Sequence, residues 1–424
     1  MSIIQPVCSK PHQQDTTPKT INITQQQLSV RLRDLATGIA SEFDALVDGA
    51  LLLESIGYET AFNESPKGEG AFLFYYPISL GNPFQALYYS EALNNGIVTI
   101  GTNDLKKITR LRWIGKTCLH LHWLGGIIGE AENEKVARER MVRFIDDLAL
   151  MKKNGVKIMW TVHNVLPHDS ILQPLQIELR MELIKLCDVI HVMNEETVEI
   201  ADAFYRIPDE KILNTPHPTY EGYYPNITSR PEARYYLDIS TQEFVFLFFG
   251  SIQAYKGLED LVRAFKLLDS QTERKMRLLI AGKVANPSHF RTIVDEINER
   301  PNITLIQSRV PIEDVQYFFA AADCCVCPYR ISLNSGVAHL SHTFGVPVIG
   351  PNVGGFKALL SEGGGLLYEE MNQESLVESM RAGLDMDRDE LQKQIQSLNA
   401  DHNPSNISNL FFKKFPDILG WRAD

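Results

Sequence analysis

From Ala71 onward the chain alternates short apolar runs with longer amphipathic segments, and it does so in two successive series. The first series of runs is FLFYY, IVTI, CLHLHWL, VKIMWTV, DVIHVM and ILNTP, and the second is FVFLFFG, RLLIAG, ITLIQS, CCVCPY and PVIGP. Strands apolar on both faces belong to parallel sheets covered by helices on both sides, since helical crossovers are the usual links between parallel strands. Segments such as GLEDLVRAFKLLD supply those helices at the right apolar spacing. The pattern predicts an α/β chain of two doubly wound, Rossmann-like domains facing across a cleft, with ligands at the carboxyl ends of the strands. Between the series, HPTYEGYYPNITSRPEARYYLDIS carries no apolar period. The expected division is a polar tail and helical extension over 1–70, domains over 71–238 and 239–402, and a helix over 403–424 returning to the first domain.

A formal net charge of -12 across 424 residues excludes general nucleic-acid binding. No apolar run approaches the roughly 18 residues of a membrane-spanning helix, and MSIIQPVCSKPHQQ lacks the regions of a signal peptide, so a cytoplasmic location is expected. Cys324, Cys325 and Cys327 lie in an apolar strand with no histidine at zinc-type spacing, which makes them buried thiols. The letters DMDRDE from Asp385 sit in an acidic stretch and are taken as a solvated face. No metal and no cofactor are expected.

The second series carries the chemistry. One strand ends at Gly250, a loop holds Ser251 and Lys256, and Gly257 opens a helix whose first amides favour an anion. A second strand is followed by Arg330, then by Asn334, Ser335 and Gly336 ahead of the helical segment VAHLSHTFG. A guanidinium can grip two phosphate oxygens, and a Ser-Gly helix start offers a cap with close backbone approach. Two such sites in one domain fit a diphosphate, and GPNVGG repeats the device at Gly354 and Gly355.

Together FGSIQAYKGLEDLVRAFKLL, RLLIAG, VPIEDVQYFFAAADCCVCPY and SGVAHLSHTFGVPVIGPNVGG resemble the donor domain of GT-B nucleotide-sugar glycosyltransferases, nearest the group-1 bacterial family, over about residues 71–420. The resemblance implies that Lys256, beside Gly250 and Ser251, contacts the donor diphosphate. It implies that the backbone near Val310 holds the base, and that Asn334, Ser335 and Gly336 face phosphate and sugar with Arg330 and His339 nearby. Where retaining members carry two glutamates this chain has Ser332 and Leu340. The Ser-Gly form with His339 is similar to exopolysaccharide enzymes such as the xanthan beta-mannosyltransferase, which implies inversion.

The first domain would then hold a saccharide acceptor, with Gly81 and Asn82 in a strand-to-helix loop and His122, Trp123 and Asn164 as further contacts. His120 and His122 alternate along a strand and share a face, where a satisfied core or rim histidine is the ordinary outcome. Inversion needs a base for the acceptor hydroxyl, and His163, Asp169 and Glu130 stand as candidates. The donor is expected to be of the GDP-mannose or UDP-glucose type. The segment DLKKITRLRWIGK places five cations among apolar residues and suits an anionic membrane surface, hence a lipid-linked saccharide and a peripheral site on the inner face of the cytoplasmic membrane. Competing functions are a nucleotide-sugar epimerase of the same architecture and a non-catalytic nucleotide-sugar-binding protein. No G-x-G-x-x-G follows the first strand of either domain, which disfavours a dinucleotide enzyme.

Overall fold

The computed structural model describes residues 71–79, 81–109, 116–129, 131–167, 172–285, 290–298, 300–330 and 332–421. The expected tail and helical extension lie outside them. The described chain forms two compact units, 71–218 with 402–421, and 219–401.

In the first unit β1 (Ala71–Tyr76), β2 (Ile97–Gly101), β3 (Lys116–Leu121), β4 (Lys157–Thr161), β5 (Val189–Val192) and β6 (Ile212–Asn214) pair in parallel in the order β2-β1-β3-β4-β5-β6. The order reverses direction between β1 and β3, so the carboxyl ends of these strands flank a switch point. Helix α1 (Phe84–Tyr88) follows β1 and is buried throughout. Helix α2 (Glu134–Lys153) starts where the Asn133 side chain accepts the Val136 amide at 3.0 Å, and it buries Ala137, Met141, Phe144, Leu148 and Met151 at helical spacing.

The second unit repeats the plan. β7 (Phe244–Phe249), β8 (Met276–Ala281), β9 (Ile303–Ile306), β10 (Cys324–Val326), β11 (Val348–Pro351) and β12 (Gly365–Tyr368) form a parallel sheet in the order β12-β11-β10-β7-β8-β9. Its switch point lies between β7 and β10. Helix α3 (Leu258–Asp269) covers the sheet with Leu258, Leu261, Val262, Phe265 and Leu268, all buried. Helices α4 (Gly336–Thr343) and α5 (Gly354–Leu360) follow β10 and β11. Burial of each large aliphatic or aromatic side chain in these cores contributes about 1.5–3 kcal/mol.

The second unit begins at Thr219, ahead of the expected 239. Its entry strap is held by polar contacts rather than by an apolar period. The Tyr220 amide donates to the Thr343 hydroxyl at 2.9 Å, and the Ile227 and Thr228 amides donate to the Gln316 side chain at 3.0 and 3.2 Å. Helix α6 (Pro404–Ile418) belongs to the first unit, where Phe411, Phe412 and Phe415 complete a core with Leu73, Tyr88, Tyr89 and Cys118.

Candidate functional site

At the switch point of the second sheet the loop after β7 and the loop after β10 are locked together. Gly257 has φ +66°, and a side chain there would place its first carbon 2.0 Å from the Pro328 carbonyl oxygen. The Arg330 amide donates to the Tyr255 carbonyl at 2.8 Å. Lys256 is 7% exposed, its ammonium nitrogen 5.2 Å from the centre of the Tyr329 ring. A first side-chain carbon on Gly250 would lie 3.2 Å from that nitrogen and 3.4 Å from Val337 on α4, so the end of β7, the ammonium and the start of α4 converge. Among the described residues Lys256 forms no ion pair or side-chain hydrogen bond. Burial pushes its pKa down to about 8, against a smaller upward pull from Cys327 and Cys325. A buried cation with no counterion among those residues would be stabilised by an anion.

Ser335 caps α4, accepting the Ala338 amide at 3.3 Å, and is buried. A side chain at Gly336 would place its first carbon 2.6 Å from the Tyr220 hydroxyl, which would have to shift. The Asn334 loop is braced by the Gly355 amide donating to the Leu333 carbonyl at 2.8 Å. His339 is buried on α4, Ser251 is exposed, and Val310 is half-buried ahead of Val315–Ala321. Arg330 stands differently from the expectation of a guanidinium aimed at phosphate. Its Nε donates to Asp260 at 2.7 Å and its terminal nitrogen lies 3.5 Å from Glu259, both on the first turn of α3. Two nearby carboxylates thus offset its charge.

Cys324, Cys325 and Cys327 are buried, and burial raises the Cys324 thiol. Cys325 is raised by its hydrogen bond with Cys327 first and by burial second. Asp385 is exposed, 3.7 Å from Arg274. The depression lined by Arg234, Asp238, Glu243, Lys275 and Arg277 is at the other end of this sheet, beside the amino ends of β7 and β8, away from Lys256.

In the first unit the strand ends gather aromatic and polar side chains. His163, two residues beyond β4, is half-buried, stacked on Trp123 at 4.2 Å between ring centres and edge-on to Phe84 at 4.9 Å. Its Nε2 lies 2.9 Å from His122 Nδ1. His122 Nε2 and His120 Nδ1 each lie 2.7 Å from the Tyr89 hydroxyl. His120 Nε2 is 2.6 Å from the Thr161 hydroxyl, which is 2.9 Å from His191 Nδ1. His191 Nε2 ends the series against the Tyr88 hydroxyl at 2.8 Å and the Thr215 carbonyl at 3.1 Å. Burial holds His120, His122 and His163 well below the usual histidine pKa, with further lowering by neighbouring histidines, and takes His191 down to about 4.

His122, expected as an acceptor contact, has protein partners at both ring nitrogens. Asn82, just ahead of α1, accepts the Phe84 amide at 3.0 Å, while Gly81 is exposed and Asn164 half-buried. Asp169 and Glu130 lie outside the described residues. In the basic segment Leu105 and Ile108 are buried in the unit rather than turned outward, Lys106 is exposed, and 110–115 are outside the described residues. No described helix is long and apolar enough to cross a membrane. Sequence reasoning missed Tyr88, Tyr89, Thr161 and His191. The available signal was polar residues inside apolar runs, CLHLHWL and DVIHVM, each of which needs a buried partner.

Residues 229–400 match the model of the glycosyl transferases group 1 family. Among curated proteins, a D-inositol 3-phosphate glycosyltransferase of Catenulispora acidiphila is 26% identical over 277 residues, covering 62% of this chain and 62% of that protein. One of Streptosporangium roseum is 24% identical over 270 residues, covering 59% and 57%. The matches thus span about three fifths of the length of these relatives. Among solved structures, Anabaena HepE in complex with UDP superposes with a TM-score of 0.63 at 10% identity, over 82% of this chain and all of that one. The sucrose-phosphate synthase of Thermosynechococcus elongatus gives 0.60 at 15% identity, over 84% and 100%. These likenesses establish the fold, that of two Rossmann-like domains, and the similarity to the glycosyl transferases group 1 family covers residues 229–400.

Proposed function

We propose that the protein transfers a hexose from a nucleoside-diphosphate sugar, of the GDP-mannose or UDP-glucose type, to a saccharide acceptor. The acceptor is lipid-linked at an anionic membrane surface, in exopolysaccharide or glycolipid assembly. Transfer inverts the anomeric carbon and uses no metal. The observation that carries the donor half is Lys256, a buried ammonium at the β7/β10 switch point with no ion-pair partner among the described residues. A diphosphate supplies the missing charge, and the fixed ammonium stabilises negative charge that grows on the leaving diphosphate. Ser332 and Leu340 stand where a retaining enzyme would carry carboxylates, which supports inversion. His163, Asp169 and Glu130 remain the candidate bases.

The relatives' names motivate a second acceptor reading, a phosphorylated cyclitol. The test incubates the full chain with a panel of nucleotide sugars, alone, with membrane lipid extract, and with inositol 3-phosphate. Nucleoside diphosphate released only with lipid extract supports the first acceptor, and release with inositol phosphate replaces it by the second. Interconversion of donor sugars without release would make the protein an epimerase, and tight binding without turnover a binding protein. The one-bond carbon–hydrogen coupling of the product's anomeric centre reads stereochemistry. A product retaining the donor's configuration overturns inversion.

A further inference from the structure

Three successive residues after β10 hold the loop that carries Lys256. The Pro328 carbonyl oxygen packs so closely on Gly257 that a side chain there would place its first carbon 2.0 Å away. The Tyr329 ring faces the Lys256 ammonium, with 5.2 Å between the nitrogen and the ring centre. The Arg330 amide donates to the Tyr255 carbonyl at 2.8 Å. The Arg330 guanidinium reaches the other end of the same loop, where Nε donates to Asp260 Oδ2 at 2.7 Å and a terminal nitrogen lies 3.5 Å from Glu259. That Asp260 oxygen lies 3.4 Å from where the first side-chain carbon of residue 257 would stand. Arg330 thus grips the loop by its backbone ahead of Lys256 and by its side chain beyond it, all within the second unit.

A guanidinium engaged in this way is poorly placed to serve a phosphate. Asp260 gives one oxygen to Arg330 and the other to Arg263 at 3.2 Å, and the side chains of Glu259 and Asp260 are only 16% and 26% exposed. Turning Arg330 toward an anion would leave two largely buried carboxylates without it on the first turn of α3, a costly exchange. Lys256 depends on the loop for its place, because an ammonium on a four-carbon stem is flexible and this one has no ion pair or side-chain hydrogen bond among the described residues. We propose that Arg330 is a positioning residue that latches the first turn of α3 to the end of β10 and thereby fixes Lys256 in its buried place. It acts on the donor through Lys256 and not by contact. The latch is a property of the unliganded chain, while its use rests on the reading of Lys256 as the partner of a diphosphate.

The full chain is labelled with carbon-13 lysine, and the ε-methylene of Lys256, identified through Lys256→Ala, is titrated without ligand in wild type, Arg330→Met and Asp260→Ala. Charge and latch require opposite signs in Asp260→Ala. Loss of a carboxylate by itself lowers a lysine's midpoint, whereas a loosened loop lets water reach the ammonium and raises it from about 8 toward the ordinary lysine value. Both variants are expected to raise the midpoint by about one unit. An unchanged or lowered midpoint in Asp260→Ala overturns the latch, and that variant carries the test by itself should Arg330→Met not fold. Calorimetry with UDP and with GDP reads the consequence for binding. Each variant should weaken the nucleotide that binds by about tenfold, and by no more than Lys256→Ala does. In a Lys256→Ala background, Arg330→Met should change affinity by less than about twofold. A larger loss there, or tighter binding in Asp260→Ala, would make Arg330 a phosphate ligand and overturn the proposal. If the titrations behave as described while Lys256→Ala binds as wild type does, the latch stands and the diphosphate reading of Lys256 fails.

Discussion

Lys256 shows how a single side chain can be legible in sequence by position and yet gain its meaning only from its surroundings. Its place between a strand end and a glycine-opened helix was readable, because Gly250 and Gly257 mark where the backbone must turn. Its near-complete burial was not readable, because that depends on Tyr329 and Pro328, about seventy residues further along the chain. With a pKa of about 8, the ammonium of the free protein is half lost at that pH. In the unliganded chain the burial destabilises the folded state at low pH, and this penalty is relieved as pH rises from about 8 toward the ordinary lysine value. Ligand binding runs the other way, since only the charged form attracts a diphosphate. Affinity for a nucleoside diphosphate, followed by calorimetry, should hold below pH 8 and weaken above it by up to about tenfold per unit. Lys256→Ala should lose about 1.5–3 kcal/mol of binding at pH 7 and lose that pH dependence as well. Equal affinity in wild type and variant would remove the lysine from the site. Arg330 was legible as a cation near a strand end, but its partners Asp260 and Glu259 come from another element, and no local spacing announces them.

Whole elements were easier to read than their contents. Most runs of both series form strands buried on two faces, which makes them largely apolar. β12 escaped because GLLY is a short edge strand, half-buried, and preceded by glycines that favour a loop reading. The histidines of β3 and β5 were visible as polar interruptions, but their pairing through Tyr89 and Thr161 depends on how α1 and β4 lie against them. Helix α6 is the sharpest case of an element whose value is tertiary. Phe411 is wholly buried, with ring centres 4.7 Å from Tyr88, 5.8 Å from His120 and 5.8 Å from His191. Phe411→Ala opens a cavity against the polar chain and should cost about 3–5 kcal/mol in denaturant unfolding of the first unit. A loss below about 1 kcal/mol would mean that α6 is not a fixed part of that core.

At the scale of the molecule, each unit has its own sheet and its own core, and among the described residues the core cluster of the second is drawn from within 219–401. A fragment of residues 219–401 should therefore unfold cooperatively by itself and bind a nucleoside diphosphate through Lys256. A non-cooperative melt with no nucleotide-dependent shift would show that the two units are not separable. The first unit differs, because Phe411, Phe412, Phe415 and Leu419 reach its core only after the chain has traversed the whole second unit. During synthesis the sheet of the first unit emerges ahead of the second unit but lacks one wall until residues 404–419 leave the ribosome. The unit made second can thus be finished before the unit made first. Throughout that interval the face of α1, with Tyr88, Tyr89 and the imidazoles behind them, lies open to water, and a premature stop before Pro404 would leave it so permanently.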